Sequence, residues 1–218
     1  MGIAQNIERI KSTLHAGVKL VAVSKTKPVE LIQEAYNTGQ RVFGENKAQE
    51  MRDKHAVLPP DIEWHFIGHL QSNKIKYIAP FVALIHSVDS LELLTGINKE
   101  AAKNNRVIPC LLQVYIANED TKYGLDDNEL FSLLDTLKAE PLANIAIYGL
   151  MGMATFTDDK AQVKAEFAHL GRLFKQVKEK YDLPEFTELS MGMSGDYEIA
   201  MAEGSTLVRI GSDIFGHR

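Results

Sequence analysis

Eight short apolar, β-prone runs alternate with segments of helical period along this chain, and few folds accept that order. The runs predict strands at Leu20–Ser24, Arg41–Gly44, Ile62–Ile67, Phe81–His86, Val107–Ile116, Ile145–Leu150, Phe186–Ser190 and Thr206–Ile210. Helices are expected between them: Pro28–Asn37, Glu45–Ala56, a short piece after Asn73, then Asp89 or Ser90 to Lys103, Asp127–Lys138, Asp158–Tyr181 and Gly195–Glu203. No Ser/Gly linker, low-complexity tract or change of composition divides the 218 residues, so the alternation belongs to one domain spanning 1–218. At this length it predicts an α/β fold, a single TIM-type (β/α)8 barrel, ahead of an open doubly wound sheet. An extra N-terminal helix is expected at Ile3–Leu14, where Ile3, Ile7, Ile10 and Leu14 share one face. Residues 211–218 after the last strand are too few for a full helix, and the opening helix is expected to cover the gap this leaves.

Composition removes several function classes. A formal charge of −5 without a run of Lys or Arg argues against a nucleic-acid partner. No apolar stretch approaches the roughly 18 residues of a membrane span, and the charged, amphipathic start does not suit a signal peptide, so a cytoplasmic protein is expected. Cys110 is the only cysteine, which rules out an intrachain disulfide and a thiolate metal cluster. Its apolar neighbours predict a buried strand, where cysteine packs as a small hydrophobe. No spacing of His and carboxylates suggests a metal site.

In a barrel the carboxyl ends of all strands meet at one rim, which is where such folds place their chemistry. Read in turn, these ends are Lys25, Glu45-Asn46, His65 to His69, Ser87, Asn118, Met151 to Ala154, Ser190 to Ser194 and Arg209 to Ser212. Lys25 closes the first apolar run three residues before Pro28. A lysine amine is nearly all protonated at pH 7, its ordinary pKa being about 10.4, and burial at a strand end activates it for Schiff-base chemistry. The loops Ser190-Met-Gly-Met-Ser-Gly-Asp196 and Arg209-Ile-Gly-Ser212 place Gly and Ser directly after apolar residues, a composition that cradles anions. Asp196 and Glu198 oppose a bound dianion unless they point away. A lysine, a phosphate cradle and an arginine for a ring nitrogen together suit pyridoxal phosphate.

The motifs Ala22-Val-Ser-Lys-Thr-Lys-Pro28, Phe43-Gly-Glu-Asn46, Trp64-His-Phe-Ile-Gly-His-Leu-Gln-Ser-Asn-Lys74, Leu189-Ser-Met-Gly-Met-Ser194 and Val208-Arg-Ile-Gly-Ser-Asp-Ile-Phe-Gly216 resemble those of the pyridoxal phosphate homeostasis proteins, the YggS/PROSC type. They span almost the entire chain in order. The resemblance implies a barrel similar to the amino-terminal domain of bacterial alanine racemase, with Lys25 carrying the cofactor as a Schiff base. It also implies Ser194, Gly211 and Ser212 at the phosphate, with Ser190, Met191 and Gly192 beside it. Arg209 would face the pyridine nitrogen, and Asn46 and His65 would line the pocket. Two positions depart from the family pattern: Gln113-Val-Tyr115 stands where Gln-Val-Asn is common, and Ser212 where threonine is frequent. His86 and His169 are read as surface or core histidines, and Lys27 as solvated.

Three functions accommodate these residues. The first is a monomeric carrier acting in pyridoxal phosphate homeostasis, with pyridoxal-phosphate-dependent enzymes as recipients and no efficient catalysis. The second is an amino-acid racemase-like enzyme using the same cofactor. A cofactor-free lyase acting on a sugar phosphate through Lys25 is the third, and visible absorbance of the purified protein separates it from the others.

Overall fold

The fold is described from a computed structural model, for residues 2–118 and 123–216. Eight parallel strands close into one barrel in sequence order: β1 (Lys19–Val23), β2 (Val42–Glu45), β3 (Glu63–Phe66), β4 (Leu84–Val88), β5 (Ile108–Gln113), β6 (Ile145–Met151), β7 (Glu188–Ser190) and β8 (Leu207–Ile210). Closure is between β1 and β8, with Val21 opposite Arg209 and Ala22 opposite Ile210. The helices are α1 (Ile3–Thr13), α2 (Val29–Asn37), α3 (Ala48–His55), α4 (Leu91–Lys103), α5 (Asp127–Ala139), α6 (Lys160–Lys180), α7 (Tyr197–Ala202) and α8 (Ser212–Phe215), with a 3-10 helix at Ser72–Tyr77. The predicted barrel and its opening helix are thus both present. The strand at 81–86 was expected too early: residues 78–82 complete the turns after the 3-10 helix, and β4 runs two residues beyond His86. Glu45 lies on β2 rather than opening α3.

Strand alternation divides the apolar residues into two layers. The larger core lies between barrel and helices and includes Leu20, Ala22, Phe43, Trp64 and Phe66. A smaller cluster of Val21, Leu84, Leu111, Met151 and Leu207 fills the barrel interior. Two bulges keep this alternation in phase. On β6, Cys110 faces Ile147 but Leu111 faces Gly149, so Tyr148 is an extra residue. Gly149 takes φ 156°, and a Cβ there would sit 1.7 Å from the Glu188 carbonyl oxygen, so only glycine fits this crowded step. The extra residue turns Leu150 outward and Met151 inward. β4 carries a like irregularity between Ile85 and Val88.

The opening helix does cover the gap beside the one-turn α8. Ile3, Ile7 and Ile10 are buried, and α1 packs between α2 and α8. Asn6 Nδ2 donates to the Ile214 carbonyl at 3.0 Å, and Thr13 Oγ1 lies 3.0 Å from the Tyr197 hydroxyl. Ser90 caps α4 by accepting from the Leu93 N–H. Cys110 is buried on β5, where burial pushes its thiol pKa well up, so it packs as an inert hydrophobe.

Candidate functional site

Lys25 sits in a tight turn just past β1. Val21 of β1 packs in the barrel interior, Val23 lies on the same face of the strand, and Lys25 follows in the turn, half-buried at the carboxyl end of β1. Thr26 holds φ 63°, a left-handed conformation that strains a β-branched residue by about 1–3 kcal/mol. Several bonds hold it there. Lys27 N–H donates to the Ser24 carbonyl at 3.0 Å, and Thr26 N–H donates to Glu50 Oε1 at 2.6 Å. Beneath the turn, buried Lys54 donates to the Ser24 carbonyl, Glu45 Oε1 and Glu50 Oε1 at 2.7–2.8 Å, and the Ser24 hydroxyl donates to Glu45 Oε1 at 2.7 Å. Burial raises the Glu45 pKa against the pull of Lys54. For the less buried Glu50 the bonds from Lys54 and Thr26 outweigh burial and lower it. Lys27 is not simply solvated: its amine donates to the carbonyls of Phe215 and Gly216 at 3.2 and 2.9 Å, tying the turn to the end of α8.

The β7–α7 and β8–α8 loops meet beside this turn. The Ser194 and Ser212 hydroxyls are 3.0 Å apart although 18 residues separate them. Gly192 adopts φ 93°, and a Cβ there would approach Ala200 Cβ to 2.6 Å, so this loop closes on α7 only without a side chain. Gly211 packs on β1, where a Cβ would meet the Val23 carbonyl oxygen at 3.0 Å. Asp196 accepts from the Met193 N–H at 2.5 Å, and Glu198 is exposed. Met191 is fully buried in the outer core.

Inside the barrel runs a polar string. Arg209 donates from Nη1 to the Ser190 hydroxyl at 2.6 Å and from Nη2 to the Gly152 carbonyl at 3.1 Å. Ser190 Oγ lies 2.9 Å from His86 Nδ1, and His86 Nε2 lies 2.9 Å from His65 Nδ1. All four residues are buried. The Ser190 hydroxyl is thus taken up by Arg209 and His86, and His86, read as a surface or core histidine, is a core one that belongs to the string beneath the mouth. Asn46 follows β2 with Oδ1 buried and unpaired among the described residues. Tyr123 stacks on His69 at 4.5 Å on the rim; in the loop 118–124 predicted there, residues 119–122 lie outside the described residues.

Burial holds the His65 imidazole down at about 3, helped by the charge of Lys19, and holds His86 well below its ordinary value, helped by His65 and Arg209. Both are neutral in the folded protein. Between the folded values and about 6.5 the unfolded chain binds more protons than the native one, so stability is complete above about pH 6.5 and falls as pH drops. Each histidine removes up to about 1.4 kcal/mol per pH unit in that window. Urea unfolding at pH 5.5 should thus give a stability about 2–3 kcal/mol below that at pH 7.5, and His86→Asn should remove roughly half of the difference. Equal unfolding midpoints at the two pH values would show that the pair is not neutral in the native state.

The comparisons with known proteins agree with this fold. The family model described as alanine racemase, N-terminal domain, matches residues 2–218. The pyridoxal phosphate homeostasis protein of Aquifex aeolicus is 41% identical over 224 residues, covering 99% of this chain and 96% of its own length. The human protein of that name is 37% identical over 211 residues, covering 92% of this chain and 76% of its own. Among solved structures, PipY of Synechococcus elongatus with pyridoxal phosphate bound is 38% identical, covers 98% of this chain and 100% of its own, and superposes with a TM-score of 0.89. Alanine racemase of Clostridium difficile, 19% identical with a TM-score of 0.74 and covered over 57% of its chain, shares the fold. The motifs, the closed barrel and full-length matches near 40% identity make this chain a member of the alanine racemase N-terminal-domain family and, within it, of the pyridoxal phosphate homeostasis proteins.

Proposed function

We propose that this protein binds pyridoxal 5'-phosphate at the carboxyl mouth of its barrel and serves the homeostasis of that cofactor, without being an efficient amino-acid enzyme. The observation that carries the reading is the meeting of the Lys25 turn with the paired hydroxyls of Ser194 and Ser212 across the β1–β8 seam. An amine, an anion cradle, a buried guanidinium and, among the described residues, an unpaired amide acceptor at Asn46 form a set of groups that fits an aldehyde, a phosphate and a heteroaromatic ring. When bound, pyridoxal phosphate supplies an aldehyde that captures amines and a ring that withdraws electrons.

Lys25 is assigned to the aldehyde and Arg209 to the ring nitrogen. Ser194, Gly211 and Ser212 are assigned to the phosphate, with Gly192 setting the loop, and Asn46 and His65 to the pocket wall. The Lys54 and Glu50 bonds hold Lys25 in place by fixing the turn on both sides of it. The relatives' names and the bound cofactor of PipY support this reading. No helix among the described residues is long and apolar enough to cross a membrane. The reading extends to a cytoplasmic monomer that passes the cofactor to pyridoxal-phosphate-dependent enzymes, which sizing and transfer assays with an apoenzyme acceptor test.

Replacing Ser194 and Ser212 together by alanine removes two donors to a charged acceptor. Each such bond contributes about 1.5–3 kcal/mol, so affinity for pyridoxal phosphate should fall at least about tenfold. Pyridoxal, which lacks the phosphate, should bind the double variant and the native protein alike. An equal loss for both ligands would move the phosphate away from these loops.

A further inference from the structure

One proton order gives every donor of the string inside the barrel, from Arg209 to His86, a partner. A guanidinium has donors and no acceptor, so the Ser190 oxygen accepts from Arg209. Among the described residues, the other partner of that hydroxyl is His86 Nδ1, so the single Ser190 proton points there. A neutral His86 accepting at Nδ1 carries its proton on Nε2 and donates it to His65 Nδ1, which places the His65 proton on Nε2. Every proton of the string thus points away from Arg209. The His86 to Ser190 bond also links β4 to β7, strands that are not neighbours, so it crosses the barrel interior. Without an acceptor at that point the Ser190 hydroxyl would have nowhere to send its proton, because Arg209 cannot take it.

We propose that His86 is a positioning residue: by accepting the Ser190 proton across the barrel it fixes Arg209, which then meets the ring nitrogen of the cofactor as a rigid, pure donor. This rests on the assignment of Arg209 to that nitrogen made above. His86 lies beneath the site and acts through Ser190 and Arg209. Its predicted effect is therefore confined to ligands that offer Arg209 an acceptor. A role limited to packing would affect all ligands equally.

The test compares pyridoxal phosphate with its analogue carrying CH in place of the ring nitrogen, using native protein, His86→Leu and His86→Asn. Native protein should prefer pyridoxal phosphate. In His86→Leu the affinity for pyridoxal phosphate should fall roughly tenfold while that for the analogue holds, the size expected for one charge-assisted hydrogen bond. Asparagine places an amide oxygen near the position of Nδ1, so His86→Asn should restore most of the preference although it breaks the link to His65. Equal weakening of both ligands, or no rescue by asparagine, would overturn the proposal. If His86→Leu does not fold, nitrogen-15 spectra of the native protein without ligand decide, because both histidines should be the Nε2–H tautomer at neutral pH. A proton on His86 Nδ1 would overturn the inference while leaving the cofactor reading standing. Native protein that binds neither ligand, or both equally, would overturn the Arg209 assignment and the proposal together.

Discussion

Lys25→Ala abolishes the stoichiometric covalent adduct that borohydride fixes between this protein and pyridoxal phosphate, together with its long-wavelength absorbance, whereas Lys27→Ala retains both: this is the result expected from the amines at the mouth. Among the described residues, Lys25, Lys27 and Lys54 lie at or beneath the turn, and they differ in where they are placed. Lys54 is buried, with its side chain 7% exposed, and is shared among one carbonyl and two carboxylates. Detaching it would leave Glu45, whose side chain is fully buried, without its counter-charge. Lys27 holds two carbonyls at the end of α8, so its replacement should cost stability rather than the adduct. Lys25 stands just past the carboxyl end of β1, beside the seam with β8 that brings Ser212 to the same rim. Peptide mapping of the reduced protein checks the assignment. A stoichiometric adduct on Lys27 that survives Lys25→Ala would reverse it.

The turn itself explains how a short motif carries this much. Val-Ser-Lys-Thr-Lys-Pro reads from sequence as a strand end followed by a helix start, and both are present: β1 ends at Val23 and α2 begins at Val29. Lys25, Ser194 and Ser212 were legible for the same reason, because apolar runs mark the strands and a closed parallel barrel brings every strand end to one rim. What lies beneath the rim was not legible. His86 faces the barrel interior only through the strand's exact boundaries, and β4 starts later than its apolar run suggested and contains a bulge. The bond from His86 to Ser190 joins residues 104 apart on strands that are not neighbours, which no local pattern encodes. Nothing local in the sequence sets Lys54 apart from the other charged residues of α3. Its burial depends on Glu45 belonging to β2, where Ser24 and Lys54 can both reach it. Sequence periodicity therefore reports the rim residues, while the hydrogen bonds that orient them depend on three-dimensional register.

With saturating pyridoxal phosphate and a panel of free amino acids, the protein should show racemisation and α-proton exchange well below the range of about 1–10³ per second typical of enzymes. The argument starts at Arg209. Burial pushes its pKa down to about 10, which still leaves it protonated at neutral pH. A protonated guanidinium donates to a ring nitrogen but does not supply a proton to it, so with Arg209 at its assigned place the nitrogen would stay largely unprotonated and the ring would withdraw electrons weakly. The Ser190, His86 and His65 string reinforces this, since its protons point away from Arg209 and both imidazoles are held neutral. Held this way the cofactor would supply little stabilisation of negative charge, and efficient turnover would require the balance to come from positioned acids and bases. The same arrangement suits a holder of the cofactor, because a weak electron sink keeps a captured amine from onward chemistry. Two measurements check the expectation: chiral analysis of each amino acid after prolonged incubation, and loss of the α-proton signal in deuterated water. Turnover of about 1 per second or faster on any of them would make this protein an enzyme and require a stronger proton source at the ring than Arg209 provides.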